Sequence, residues 1–157
     1  MINLPIVKSV VLSICLLITT ITFAQKNKKK SEKKNFLDGK NYNVQFTEKK
    51  ASGLGKPLPG EIIFKAGQVQ CDLMEEKLTA PSMPFKITLD TIYLADEDSV
   101  RKVSFIADYT EDKVGYKWEA TITDYAIEGT FIQTRSGIEK KRFEFEGEEK
   151  ANPKKKK

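Results

Sequence analysis

Four glutamates, Glu119, Glu128, Glu144 and Glu146, stand close together in the C-terminal part of the chain. Two carboxylates flanking a glycosidic bond are what a hydrolase needs. Each of these four, however, alternates with an apolar neighbour (Trp118, Ile127, Phe143, Phe145) and so falls on the side opposite the apolar one. A general acid needs burial to raise its pKa, and this pattern makes them solvated outer-face charges. Cys71, in "QVQCDLM", alternates onto the side of Val69 and Leu73 and reads as a small buried residue. No nearby basic residue in the sequence activates its thiol. "DEDS", Asp96 to Ser99, gathers oxygen donors without the spacing and glycine of an EF-hand loop. "GLGKPLPG" has glycines but no strand feeding a following helix, so it reads as a hairpin loop and not a phosphate cradle. The chain contains no histidine, which removes Ser-His-Asp and Cys-His catalysis and His-ligated zinc. The expectation is a protein that is not an enzyme and holds no cofactor or metal.

Aromatic residues are the remaining candidates. Tyr42, Phe64, Phe105, Tyr109, Tyr116, Trp118, Phe131 and Phe143 all lie on the apolar side of short alternating runs. Converging, they either fill a core or line an apolar pocket in which phenol hydroxyls orient a small ligand. They are the expected ligand-binding set.

The elements that must position them follow from period-two alternation. Eight runs carry it: "NYNVQF", "EIIFK", "QVQCDLM", "FKITLDTIYL", "VRKVSFIADY", "YKWEATIT", "IEGTFIQT" and "IEKKRFEFEG". "EEKLTAPSMP" is the one segment that reads as a short helix or long loop, limited by Pro81 and Pro84. Short turns separate the rest, which predicts an all-β, antiparallel fold. An eight-stranded up-and-down barrel leaves no exposed edge and encloses just enough space for side chains or one small ligand. A two-sheet β-sandwich satisfies the same alternation.

The ends of the chain differ from its middle. An apolar run after Lys8, ending in Thr22-Phe23-Ala24, fits a secretory signal over residues 1–24 cleaved before Gln25. Cleavage removes Cys15 and leaves Cys71 alone, so no disulfide or thiolate zinc site can form within the chain. A basic segment occupies residues 25–35 and a second basic tail residues 151–157, around a β domain at 36–150. The whole chain has net charge +5. Setting aside Lys8, the six lysines and Glu32 of 26–34, and Lys154 to Lys157 leaves 16 basic against 21 acidic residues, a net −5. An acidic domain between like-charged basic ends lacks the footprint of a nucleic-acid binder. The lysine runs read as solvated segments with a secondary attraction to anionic envelope surfaces. Secreted or periplasmic placement is expected, with no transmembrane segment after cleavage.

From Tyr116 onward, a tryptophan strand, a turn into a hydrophobic-x-Gly strand and a last strand ending "FEFEG" resemble small secreted bacterial proteins of lipocalin-like, or calycin-like, type. "FLDGKNYNVQF" and "LPGEIIFKAGQVQCD" are similar in rhythm to their opening hairpins. The resemblance implies an eight-stranded barrel around an apolar molecule and no catalytic residues. The leading expectation is therefore a non-enzymatic barrel with a small apolar or amphipathic ligand inside. The alternative is a structural or interaction protein of the cell envelope, filled inside, that works through its outer face or basic tails.

Overall fold

The computed structural model describes residues 35–95 and 98–151. The expected signal segment, both lysine-rich runs and the first half of "DEDS" lie outside them. Nine strands and one helix make up the described part: β1 Asn41–Lys50, β2 Gly53–Leu54, β3 Leu58–Lys65, β4 Gln68–Cys71, α1 Asp72–Leu78, β5 Met83–Ala95, β6 Asp98–Glu111, β7 Val114–Thr123, β8 Ala126–Arg135 and β9 Ile138–Glu149. Alternation dictates the strands. On β1, Tyr42, Val44 and Phe46 are buried while Asn43 and Gln45 are exposed, and β7 buries Tyr116, Trp118, Ala120 and Ile122.

Tight turns set the registers. Ala66-Gly67, Asp112-Lys113 and Ser136-Gly137 have positive φ at both central residues, the twist that two-residue hairpins require. The strand expected to run through "QVQCDLM" stops at Cys71. Asp72 turns the chain by accepting hydrogen bonds from the N–H groups of Leu73 (2.6 Å) and Glu61 (2.8 Å). The following α1 buries Leu73, Met74 and Leu78, so Leu73 reaches the core from a helix. It ends at Thr79 in the left-handed region, whose N–H bonds the Glu75 carbonyl.

All neighbouring strands are antiparallel, in the order β2-β1-β3-β4-β5-β6-β7-β8-β9, with β1 also pairing β9. The ring so formed does not close evenly into a barrel. β6 and β7, and β7 and β8, pair through ten residues each, whereas β4 meets β5 only at Gln68↔Pro84 and Val69↔Met83. The chain leaves the sheet at Cys71 to form α1, so the ladder there has no further residues to offer. The expected eight-stranded up-and-down barrel is thus corrected, and the two-sheet sandwich fits better. Phe64 on β3 packs edge-on against Phe85 on β5 (5.2 Å) and Phe105 on β6 (5.1 Å). Phe46 on β1 faces Trp118 on β7 at 6.2 Å. Beyond Phe85, whose N–H reaches the Gly67 carbonyl at 3.2 Å, β5 has no second partner strand among the described residues.

Small residues allow close strand approach where β9 meets β1 and β8 meets β7. A Cβ on Gly147 would strike the Asn43 carbonyl and come within 2.7 Å of Val44 Cα. One on Gly129 would come within 2.6 Å of the Ala120 Cβ.

Candidate functional site

The structure brings the sequence-derived aromatic set together as packing. Tyr42, Phe64, Phe105, Tyr116, Trp118, Phe131 and Phe143 are buried. Tyr42 meets Phe64 edge-on at 5.9 Å, and Phe64 meets Phe105. Trp118 packs on Phe131 at 4.6 Å, with Tyr116 and Phe143 at 6.1 and 6.4 Å from the same ring. Tyr109 departs from the set. It is half-buried at the core's margin, and its hydroxyl donates to Glu111 (2.8 Å). Phe46, Phe85 and Phe145 share the apolar side and complete the core. The alternation that identified the others marks these three as well. Burying each ring is worth roughly 1.5–3 kcal/mol, which accounts for the set without a ligand.

The core polar atoms fall into two kinds. Tyr116 donates its hydroxyl to the Leu78 carbonyl (2.8 Å), fastening the end of α1 to β7. The Tyr42 hydroxyl and Trp118 Nε1 are buried without a partner among the described residues. Burial, with a smaller contribution from the charge of Glu149, holds the Tyr42 phenol far above its ordinary pKa. Burial likewise pushes the Cys71 thiol up to about 12, so it is neutral and unreactive at physiological pH.

The concavities lie elsewhere. A groove of about 890 Å³ crosses the outer face of the strands, and its lining can be derived from the registers. One row runs Gln45, Glu146, Glu128, Thr121, Ser104 across β1, β9, β8, β7 and β6. The next runs Thr47, Glu144, Thr130, Glu119, Ile106 across the same strands. The four glutamates expected on the outer face therefore meet in one groove. Ser104 and Thr121 share a hydrogen bond of 3.0 Å. Lys117 pairs with Glu119 at 2.5 Å, and Lys49 pairs with Glu144. Glu128 and Glu146 stand directly opposite one another, and neither belongs to an ion pair among the described residues. Sequence reasoning gave the side on which these carboxylates lie but missed their alignment, because register between strands decides it. A second concavity, about 450 Å³, adjoins this one at Gln45 and Glu146 and reaches Glu61 and Asp72.

Among the described residues no group of three or more acidic, Cys or His side chains is placed to hold a metal ion, and no helix is long and apolar enough to cross a membrane. Lysines are distributed in surface ion pairs with glutamates, such as Lys40–Glu149 (2.5 Å) and Lys150–Glu61 (3.3 Å).

Comparison with protein-family models, with curated proteins and with solved structures gave no match. The lipocalin-like resemblance is therefore corrected on two grounds. No relative supports it, and the unevenly closed strand ring does not give the barrel it implies. With it goes the expectation of an apolar ligand inside a barrel, since most of the residues assigned to that pocket are packed against one another.

Proposed function

We propose that this chain is an interaction protein of the cell envelope, secreted or periplasmic, whose filled β domain is a scaffold for binding through its outer face and its basic ends. One observation carries the reading: the aromatic side chains form the core, while the grooves, the aligned carboxylates and the lysines lie on the outside. The lysines of 26–34 and 154–157 supply attraction to anionic lipid or polysaccharide, with each lysine near a lipid surface worth about 1 kcal/mol. The net −5 of the intervening chain opposes close approach of the domain itself to such a surface, so contact with it is assigned to the basic ends.

Co-sedimentation with anionic vesicles tests this. Binding at low salt should fall sharply on deleting residues 25–34 and 154–157, and it should vanish at high ionic strength as screening shortens. Undiminished adsorption of the deleted chain would end the surface-binding reading. N-terminal sequencing of the exported protein tests its placement, and the expected first residue is Gln25.

A further inference from the structure

We propose that the open edge of β5 is a self-association site, where a second copy of this chain adds its own β5 in antiparallel register about a two-fold axis through Thr91. From Lys86 to Ala95 the strand pairs with β6 on one side, while its other edge has no partner among the described residues. Ten residues of strand present roughly 33 Å of unpaired backbone. The same stretch carries Leu89, Ile92, Tyr93 and Leu94, exposed by 42, 65, 43 and 78%. This is half of the large exposed apolar side chains of the described domain, concentrated on one strand.

Native sheets blunt such edges with charge, proline or a bulge. Here those devices stop midway. Lys86, the register irregularity between Ile87 and Leu89, and Asp90 protect the inner half. The carboxylate of Asp90 is already held by the Arg101 guanidinium at 2.7 and 2.9 Å. Thr91 to Ala95 have no such protection.

The occupant follows from self-complementarity. A two-fold axis normal to the sheet at Thr91 sets Leu89 of one copy against Tyr93 of the other and Asp90 against Ile92, so no like charges face each other. Backbone donors and acceptors then pair from Leu89 to Tyr93 in both copies, on the regular side of the irregularity at Ile87/Leu89. The lysine-rich runs of this chain have no apolar residue to set against Leu89 or Tyr93. β1, β3 and β6–β9 are each paired on both sides, and β2 offers an edge of only two residues. An isologous pairing consumes the one long open edge among the described residues in both copies and closes the assembly at two. The pairing does not rest on the role of the basic ends.

Sedimentation velocity of the purified chain should show a monomer–dimer equilibrium. The Thr91→Cys variant should form a disulfide-linked dimer under mild oxidation, because Cα atoms opposite one another in an antiparallel pair lie about 4.5–5.5 Å apart, within disulfide reach. Tyr125→Cys, at a 73%-exposed position in the β7–β8 turn, should not. The double variant Leu89→Lys/Tyr93→Lys places lysine against lysine twice. It should raise the dimer dissociation constant at least tenfold while leaving the urea midpoint nearly unchanged. A chain that stays monomeric up to roughly 0.5 mM, or a dimer that Thr91→Cys fails to trap, would overturn the proposal.

Discussion

Replacing Tyr42 by phenylalanine should stabilise the protein, although it removes a polar group from the middle of the fold. The Tyr42 side chain is fully buried, and its hydroxyl has no hydrogen-bond partner among the described residues. A buried hydroxyl that has given up water without replacement costs about 1–3 kcal/mol. Tyr42→Phe removes that cost and keeps the ring against Phe64; the small void left by one oxygen offsets part of the gain. The net expectation is about 1–2 kcal/mol of added stability, or a rise of about 4 °C in Tm for each kcal/mol in a domain of this size. Tyr116→Phe is the internal control. Its hydroxyl is bonded to the Leu78 carbonyl, so the same chemical change should destabilise by about 1 kcal/mol or more, since the carbonyl loses its donor. Urea unfolding followed by Trp118 fluorescence reads both. The opposite signs are the point of the pair. Destabilisation by Tyr42→Phe comparable to that of Tyr116→Phe would mean that the Tyr42 hydroxyl has a partner, and the reasoning would fail.

Three further outcomes are expected. Gly147→Ala should cost about 1–3 kcal/mol, because its Cβ would strike backbone of β1 on the facing pair; urea titration measures it. Glu146→Gln relieves the opposition to Glu128 and should stabilise by about 0.2–1 kcal/mol, a gain that disappears when the melt is repeated in high salt. Stability should also decline with alkali. A thiol whose folded pKa is raised to about 12 from 9.0 stays neutral in the fold and ionises in the unfolded chain, so its contribution is complete below pH 9 and is lost between pH 9 and 12. Tyr42 adds to the loss above pH 10. Urea midpoints from pH 8 to 11 should fall, and Cys71→Ala should flatten the first part of the slope.

Alternation reports which side of a strand is apolar, and it located eight strands together with the side on which each candidate aromatic lies. Whether facing apolar sides meet is set by how strands pair, and this is where the sequence was silent. The barrel expectation failed at Gln68 and Val69, the only β4 residues that reach β5. "DLMEEKL" supplies apolar residues at both strand and helix spacing, so the early end of β4 was not readable. The groove has the same origin. Glu119 and Glu144 are separated by 25 positions in the chain and meet in one row because β7, β8 and β9 are joined by tight turns. Phe46, Phe85 and Phe145 were legible by the same rule as Phe64 and Phe131 and belonged in the set.

The double pairing of β1 also orders events in time. β5 to β9 are successive hairpins that assemble from contacts between chain neighbours. β1 meets β9 across pairs such as Val44↔Gly147, joining the first strand of the domain to the last. Loop closure makes such distant pairings slow. As the chain emerges N-terminus first, β1 precedes by the length of the domain the strand that completes its pairing. Until Phe145 arrives opposite Phe46, β1 can pair with β3 but not with β9, and the sheet keeps an open side until the last strand of the domain is made.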